Sequence, residues 1–514
     1  MKVNPAEPAC VETTARSTVR NTLLVAALVL VGRFSGFVRE WMIAAQGGAT
    51  EATDVAIVLL TFPDLMVSLL LGGGLAATLV PAFRRSPRGE DAALFIRAML
   101  WIGGGFVLLA IVLGLAAPLV LGLLAPGLSE GVRAANIPSF LVMLLALPLS
   151  ALSGVVVAFL NAHGRFAVGA GGTLFFNGMV IVCVALAGKG SIAFAIAVGV
   201  AVGALLRLTV QGVDAWPVFG RVGLANAPRM AGLLKQFAGT FSFVTVLVAL
   251  SPISRAISSF HDAGALSLFN YASKLVDLPM GVLIGAIGTV LLPRIAGDFE
   301  TGGYGGARPA LLVALKAVVW ASVAIVVPAV FFPDVLVGLA FFGAAFTPVQ
   351  TSLLADLVTI AFLSLPFQAA LSIYGTAFAA AGAMRPLLKV ALLMLLATLM
   401  FSPLALAQTG VRGVMAVYVG VYVIGAVAMA RQAAAVARFG SGLTERVLGG
   451  ARMSLLWPVL AAAAIALVGD SISTEFWTRA GWAAAAFAGF AVVAAGCNPG
   501  LWRQLMSRGK EGAR

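Results

Sequence analysis

Residues 32–81 read GRFSGFVREWMIAAQGGATEATDVAIVLLTFPDLMVSLLLGGGLAATLVP, two long apolar runs with the charges Arg33, Arg39 and Asp54 within or beside them. A charged side chain at the centre of a bilayer costs about 2.5–3.5 kcal/mol on insertion scales. Such a charge is kept where it faces a polar cavity or pairs with another group. The stretch therefore predicts half of a cationic cavity inside a helical transporter.

The composition is that of an integral membrane protein. Of 514 residues, 61% are hydrophobic and 10% are charged, and the mean hydropathy is +1.05, whereas soluble domains contain about 25% charged residues. The apolar runs have the length of transmembrane helices rather than of the short strands of an outer-membrane barrel. The three cysteines, Cys10, Cys183 and Cys497, show neither metal-ligand nor disulfide spacing. We therefore expect no metal site.

The apolar runs number fourteen, which predicts an all-α polytopic membrane protein with fourteen transmembrane helices. With a cytoplasmic N-terminus, the cytoplasmic segments hold twenty-three lysines and arginines and the opposite loops hold four, in agreement with the positive-inside rule. Both termini are thus predicted to be cytoplasmic, and the net charge of +13 needs no nucleic-acid partner. The loops are too short for a catalytic domain and contain no phosphate-binding glycine motif. These features predict a transporter and not an enzyme.

Two pairs of prolines repeat at nearly the same interval: Pro63 with Pro279, and Pro148 with Pro366. Each unit of the repeat contains six spans, which predicts two parallel six-helix repeats that enclose a central cavity and rock against each other. Two C-terminal helices fall outside the repeat. The predicted segments are a cytoplasmic N-terminus 1–20, an N-lobe 21–212, a linker 213–235, a C-lobe 236–430, a linker 431–452, the extra helices 453–500 and a cytoplasmic tail 501–514.

Five charges deep in the predicted spans are the candidate site: Arg33, Arg39, Arg255, Lys274 and Asp54. The four bases are interpreted as substrate-binding residues, and Asp54 as a gating or coupling residue. With Asp54 as the only acid, the set is net positive, which favours an anion site over salt bridges that merely join helices. Arginine and lysine suit phosphate oxygens, so a diphosphate head group fits. Arg207 and Lys316, closer to cytoplasmic ends, are expected to snorkel to the interface.

The stretch from Gly32 to Pro63, together with LSLFNYASKLVDLPMGVLIGAIGTVLLP (266–293), FFGAAFTP (341–348) and FLNAHGRFAVGAGGTLFFNGMVI (159–181), resembles the MurJ (MviN) family. These proteins are lipid II flippases of the MOP exporter superfamily. The resemblance implies transfer of an undecaprenyl-diphosphate-linked peptidoglycan precursor from the cytoplasmic to the periplasmic leaflet of the bacterial inner membrane. The implied partners are this polyprenyl-diphosphate-linked glycan, membrane lipids and the cell-wall synthesis machinery. No cofactor is expected, and the membrane potential or an ion is expected to drive transport.

The resemblance also implies roles for individual residues. Arg33, Arg39 and Asp54 match the family's functional charges on the first two helices, with the same spacing. Lys274 stands where the family usually has an arginine, so the charge is kept and the bidentate geometry is lost. Arg255 is not a feature of the family. The helices within 453–500 match those that form a groove for the lipid tail.

The chain departs from the family pattern at a few positions. Val67 and Ser68 replace a basic pair, Gly72 replaces an acid, and Gly343 replaces an arginine. The lost charges keep a second interpretation open, a flippase for another polyprenyl-diphosphate-linked glycan such as an exopolysaccharide or O-antigen unit. A cation-coupled drug exporter would need deep acids, and a membrane glycan polymerase would need a large periplasmic loop. The sequence favours neither of these two.

Overall fold

The computed structural model describes residues 7–66, 75–86, 91–187, 192–218, 246–381, 383–435, 457–468 and 475–497. These residues are helical apart from short connections, and they include no β-strand. Eight helices among them are long and apolar enough to cross a membrane, or nine if one bent pair is a single span. The all-α membrane class is therefore confirmed, while the count of fourteen helices stays a prediction.

The chain divides into two compact units. The first consists of Met1–Ile43, Val55–Leu123 and Ser129–Val244. The helices that lie wholly or mainly in it are α1 (Glu7–Gly47), α2 (Glu51–Met66), α3 (Leu75–Arg85), α4 (Asp91–Leu115), α5 (Ala117–Leu124), α6 (Glu130–Ala135), α7 (Ile137–Leu144), α8 (Ala146–Ala162), α9 (Ala167–Leu186) and α10 (Ile192–Ala215).

Helix α8 is central to the first unit because most of its side chains are small or apolar and are buried. It packs against α3, α4 and α10, and α10 packs in turn along α9. The fully buried Phe159 ring lies 5.4 Å from the Phe83 ring and 4.8 Å from the Phe95 ring, measured between centroids. Such aromatic pairs add stability beyond the burial of their area. These rings join α8 to α3 and α4.

The second unit consists of Ala44–Asp54, Leu124–Leu128 and Thr245–Arg514. Its helices are α11 (Val246–Ser258), α12 (Ala265–Phe331), α13 (Pro333–Ala340), α14 (Pro348–Phe362), α15 (Leu365–Ala380), α16 (Met384–Thr409), α17 (Val411–Ala435), α18 (Trp457–Val468) and α19 (Phe476–Cys497). Helix α12 is two helices joined at Gly303, whose φ of 59° and ψ of −149° are not helical.

Several predicted spans consist of two helical pieces. Helices α14 and α15 are bent by 40° at their junction, and Pro366 lies in the first turn of α15. Helices α7 and α8 meet at Leu145, and Pro148 lies in the first turn of α8. The first turn tolerates proline because its N–H would have no intrahelical partner there. Helix α12, by contrast, continues through Pro279.

The two C-terminal helices pack within the second unit, where α19 contacts α12 and α13. The Trp320 and Phe490 rings lie 6.1 Å apart, and Ala462 and Ala486 are buried in the same apolar cluster. Small residues on α18 and α19 thus allow close approach to the second half of α12. The predicted lipid-tail groove stays a prediction.

Candidate functional site

Arg33 and Arg39 lie on the same helix, α1, in opposite environments. The Arg33 side chain is exposed and has no hydrogen-bond or ion-pair partner among the described residues. Arg39 is only 4% exposed. Six residues place the two side chains about 120° apart around a helix, so they face different surroundings. Of these two predicted binding residues, Arg33 is the one whose guanidinium is accessible.

Arg39 is held by three polar side chains inside the first unit. Its Nη1 and Nη2 donate to Oδ1 and Oδ2 of Asp64, both at 3.1 Å, which is the bidentate form of an arginine–carboxylate pair. Nη2 also donates to Glu40 Oε1 at 2.7 Å, and Nη1 donates to Asn177 Oδ1 at 3.2 Å. Two carboxylates therefore compensate the one buried guanidinium. We call Arg39, Glu40, Asp64 and Asn177 the Arg39 cluster.

The set of five deep charges left out acids that the structure places beside two of its bases. Glu40 of α1 and Asp64 of α2 both pair with Arg39. Lys274 Nζ lies 3.7 Å from Asp277 Oδ2. The net positive charge inferred for the deep set is therefore cancelled in part. Both Glu40 and Asp64 stand within the stretch 32–81, where an acid inside a span is expected to pair with a base. That rule would have identified them.

Asn177 joins α9 to α1, a role that was not predicted from the sequence. Its Nδ2 donates to the Gly32 carbonyl at 3.3 Å and to Ser35 Oγ at 3.0 Å, while its Oδ1 accepts from Arg39. The helices approach this closely because Gly32 has no side chain, and a Cβ there would collide with the Thr173 hydroxyl. Asn177 thus fixes the Arg39 guanidinium relative to the α1 backbone.

Asp54 is bound at the N-terminus of α12, within the second unit. Its carboxylate accepts from the Gly264 N–H and the Ser267 N–H, each at 2.8 Å, and from the Ser267 hydroxyl at 2.5 Å. Asp54 is 2% exposed. The first backbone N–H groups of a helix have no partner within it, and the positive end of the helix dipole favours a carboxylate there. Asp54 therefore caps α12 from a distant part of the chain.

Close backbone packing surrounds the Asp54 cap. Gly264 and Gly48 have φ angles of 88° and 62°, which favour glycine. A Cβ at Gly264 would collide with the Ala49 carbonyl, and one at Gly48 with the Ala345 carbonyl. Gln350 Nε2 also donates to the Ala49 carbonyl at 2.7 Å. The segment 44–54 is therefore fixed to the start of α12 and to the turn before α14.

Arg255 and Lys274 differ in how firmly they are held in the second unit. Arg255 is 7% exposed, and its Nη1 donates to Asn270 Oδ1 at 3.0 Å. The Lys274–Asp277 pair is longer, at 3.7 Å, and its side chains are 28% and 53% exposed. Exposed ion pairs contribute about 0–1 kcal/mol to stability. The contact with Asp277 is therefore a weaker restraint on Lys274 than the hydrogen bond to Asn270 is on Arg255.

The prediction that Arg207 snorkels to the interface was wrong. Its side chain is 1% exposed and lies inside the first unit, against Gly172 of α9. A snorkelling arginine keeps its charged group in water. Lys316 is half-buried, and its snorkelling stays a prediction.

The predicted site residues fall into two sets. Arg33 and Arg39 belong to the first unit, and Asp54, Arg255 and Lys274 belong to the second. Within the described residues, no three His, Cys, Asp or Glu side chains are placed to hold a metal ion. Of the departures from the family pattern, Gly343 lies in the turn before α14 with a φ of 74°. Val67, Ser68 and Gly72 lie outside the described residues.

Sequence comparison identifies relatives over most of the chain. The family model described as "Lipid II flippase MurJ" matches residues 43–482. A probable lipid II flippase MurJ from Rhizobium tropici is 26% identical over 368 residues, 68% of each chain. A similarly described protein from Thermotoga maritima is 27% identical over 295 residues, 55% of this chain and 59% of its own length. The lipid II flippase MurJ from Burkholderia cenocepacia is 28% identical over 294 residues, which cover 54% and 57%.

Solved structures share the fold. A lipid II flippase MurJ in an inward closed conformation aligns with a TM-score of 0.79 at 17% identity, covering 94% of this chain and 100% of that one. An inward-facing multidrug resistance MATE transporter of the MOP superfamily aligns with a TM-score of 0.63 at 16% identity, covering 81% and 100%. At these sequence identities, both alignments show a shared fold. Because the family model matches most of the sequence, the protein is a multi-pass membrane protein that belongs to the lipid II flippase MurJ family.

Proposed function

We propose that this protein is a lipid II flippase, which moves the undecaprenyl-diphosphate-linked peptidoglycan precursor from the cytoplasmic to the periplasmic leaflet by alternating access. The observation that carries the proposal is the family match over residues 43–482. The MurJ structure, which aligns along its whole length, supports it. The protein would act in the bacterial inner membrane with both termini in the cytoplasm, beside the cell-wall synthesis machinery that uses the precursor.

For the diphosphate, we propose direct contact with Arg33 and Lys274. Arg33 is exposed and has no partner among the described residues, so it presents all its donors to a phosphate. Lys274 exchanges its weak pairing with Asp277 for the more highly charged phosphate. Arg39 and Arg255 are assigned a supporting role. Their guanidinium groups are engaged with Asp64 and Asn270, and they reach the substrate only when those bonds are exchanged.

For Asp54, we propose a gating role. The three hydrogen bonds that its carboxylate accepts hold the segment 44–54 to the start of α12. Separating the segment 44–54 from the start of α12 requires these three hydrogen bonds to break together, because they share one carboxylate. Reforming them closes the end again after the head group has left.

The driving force is proposed to be the membrane potential or an ion, without a bound cofactor. Moving one elementary charge across the membrane is worth about 2.3 kcal/mol per 100 mV. A lipid-linked diphosphate carries negative charge, so its outward transfer is favoured by a potential that is negative inside. Collapse of the potential in vesicles should therefore slow the flipping of a fluorescent lipid II analogue by this protein.

Complementation tests the function. The resident lipid II flippase of a Gram-negative host is depleted while this chain is expressed, with its membrane level followed by immunoblot. We expect growth and rod shape to return with the wild type and with Arg412→Ala, a charge change in an exposed ion pair. We expect Arg33→Ala to fail at an equal membrane level. Lysis despite wild-type protein in the membrane would contradict lipid II as the substrate and would direct the search to another polyprenyl-diphosphate-linked glycan.

A further inference from the structure

Residues 124–128, at the end of α5, form a short turn that belongs to the second unit, although the residues on either side of it belong to the first. The Leu128 N–H donates to the Ala125 carbonyl at 3.2 Å, and Pro126 and Gly127 occupy the centre of the turn. Proline and glycine favour such turns. Ala125 and Leu128 are only 1% and 8% exposed. The segment is therefore a structured part of the second unit, and we call residues 124–128 the strap.

The strap is held by the turn that follows α11. The Gly127 N–H donates to Ser259 Oγ at 3.0 Å, and the same hydroxyl donates to the Ala256 carbonyl at 2.7 Å. Because its proton points to Ala256, the Ser259 hydroxyl oxygen is oriented to accept from the strap. A Cβ at Gly127 would collide with the Ser259 carbonyl and with the Phe260 backbone nitrogen. The two backbones can therefore approach this closely only because residue 127 is glycine.

The turn 259–264, which connects α11 to α12, carries the Asp54 cap at its other end. Ser259, where the turn begins, accepts from Gly127, and Gly264, where it ends, donates to Asp54. The turn is itself closed by backbone hydrogen bonds near both of its ends. Two segments that are far apart in the sequence, the strap and residues 44–54, therefore attach to opposite ends of one short, hydrogen-bonded turn.

We propose that the strap is a second latch, which closes the periplasmic end of the protein together with the Asp54 cap. In the topology predicted from the sequence, residues 44–54, the strap and the turn 259–264 all connect spans on that side. Because both latches hold the same turn, displacement of the turn breaks hydrogen bonds at both of its ends. Each latch therefore opposes opening, and the two release together. The proposal rests on the alternating access of the proposed function, but not on which lipid is carried.

The first test measures how often the strap detaches in the full chain, purified in detergent. The parent protein has its three native cysteines replaced by serine and carries Leu128→Cys, a buried position in the strap. Detachment exposes this thiol, so its rate of reaction with a maleimide reports the detached fraction. Asp262→Cys in the same background is the reference for a fully accessible thiol, because Asp262 is 94% exposed.

Two substitutions should loosen the strap. Gly127→Ala should raise the labelling rate by about tenfold or more, because the added Cβ collides with backbone atoms. Ser259→Ala should raise it by about fivefold, the effect of one lost hydrogen bond. The matched control is Gly131→Ala, four residues beyond Gly127, where a Cβ would meet nothing within 4 Å. It should label like the parent.

The second test asks whether the two latches are coupled. Hydrogen exchange is followed in the peptide that contains the Gly264 and Ser267 amides, which donate to Asp54. Gly127→Ala should speed exchange in this peptide although it lies outside the strap, and Gly131→Ala should not. A contact that matters only locally would change exchange in the strap alone.

Three outcomes would overturn the proposal. They are equal labelling of the strap thiol in Gly127→Ala and Gly131→Ala, labelling of the parent as fast as Asp262→Cys, and unchanged exchange at Gly264 and Ser267 in Gly127→Ala. Neither test contains a lipid substrate. A failed complementation, which would contradict lipid II as the substrate, therefore leaves both tests unaffected.

Discussion

Ser267 holds Asp54 twice, through its backbone N–H at 2.8 Å and through its hydroxyl at 2.5 Å, although 213 residues separate the two along the chain. Asp54 lies in the first turn of α2, and Ser267 lies in the first turn of α12. The capping group of α12 therefore comes from a different helix rather than from the residue that precedes α12. The stability of that first turn depends on whether the segment 44–54 is in place.

The first prediction concerns Asp54→Asn. An amide has one acceptor oxygen, so it cannot accept from both Gly264 and Ser267 with the geometry of the carboxylate. The loss should cost about 1.5–3 kcal/mol, the contribution of hydrogen bonds to a charged group. We expect faster hydrogen exchange in the peptide that contains both amides, and loss of complementation. Glu51→Gln, in the same turn of α2, is the control and should exchange like the wild type.

The second prediction concerns the pair Arg39–Asp64. A double-mutant cycle with Arg39→Met and Asp64→Leu should give a coupling free energy of about 2 kcal/mol or more, because the pair is bidentate and its side chains are only 4% and 23% exposed. The exposed pair Arg412–Asp356, with side chains 53% and 48% exposed, is the comparison. Its coupling should stay below about 1 kcal/mol. Equal coupling for the two pairs, measured by reversible unfolding in detergent, would contradict the role of burial.

The third prediction separates transport from stability at Arg33. Because Arg33 is exposed and has no partner among the described residues, Arg33→Ala should change the free energy of unfolding by less than about 0.5 kcal/mol. Flipping of a fluorescent lipid II analogue in proteoliposomes should nevertheless be lost. Arg33→Lys, which keeps the charge but not the bidentate donors, should retain part of the activity. An Arg33→Ala protein that flips at the wild-type rate would exclude Arg33 from the substrate site.

The fourth prediction compares two glycines with similar φ angles. Gly264 has a φ of 88°, and a Cβ there would collide with the Ala49 carbonyl. Gly343 has a φ of 74°, and a Cβ there would meet nothing within 4 Å. Alanine in the left-handed region costs about 1–2 kcal/mol, which both variants should lose. Gly264→Ala should therefore lower Tm clearly more than Gly343→Ala. Equal decreases in Tm would show that the segment 44–54 moves away from the added Cβ without loss of stability.

The helical membrane class followed from composition, because runs of apolar residues of this length fit a bilayer as helices and fit little else. Arg33, Arg39 and Asp54 could be identified as unusual because charge is rare in such runs. Their partners were harder to find. Asn177 lies 138 residues from Arg39, and Ser267 lies 213 residues from Asp54, and spacing along a chain carries no information about contacts of that range.

Two errors have different physical origins. Glu40 and Asp64 were visible in the sequence, and they were missed because Asp54 was the only acid counted with the charges of the spans. Arg207 was assigned to the interface from its distance to the end of α10. Whether a long side chain turns toward water or toward the core depends on the neighbouring helices, here on the absence of a side chain at Gly172. Position within one helix does not contain that information.

The Arg39 cluster also has a consequence for how the chain is made. Helices α1 and α2 leave the ribosome one after the other, and each alone would bring a charge into the bilayer at a cost of about 2.5–3.5 kcal/mol. Arg39 from α1 and Asp64 from α2 form a bidentate pair, so the two helices can be inserted as a hairpin in which this pair of charges is already compensated. Loss of Asp64 would then reduce the yield of correctly integrated protein before any question of transport arises.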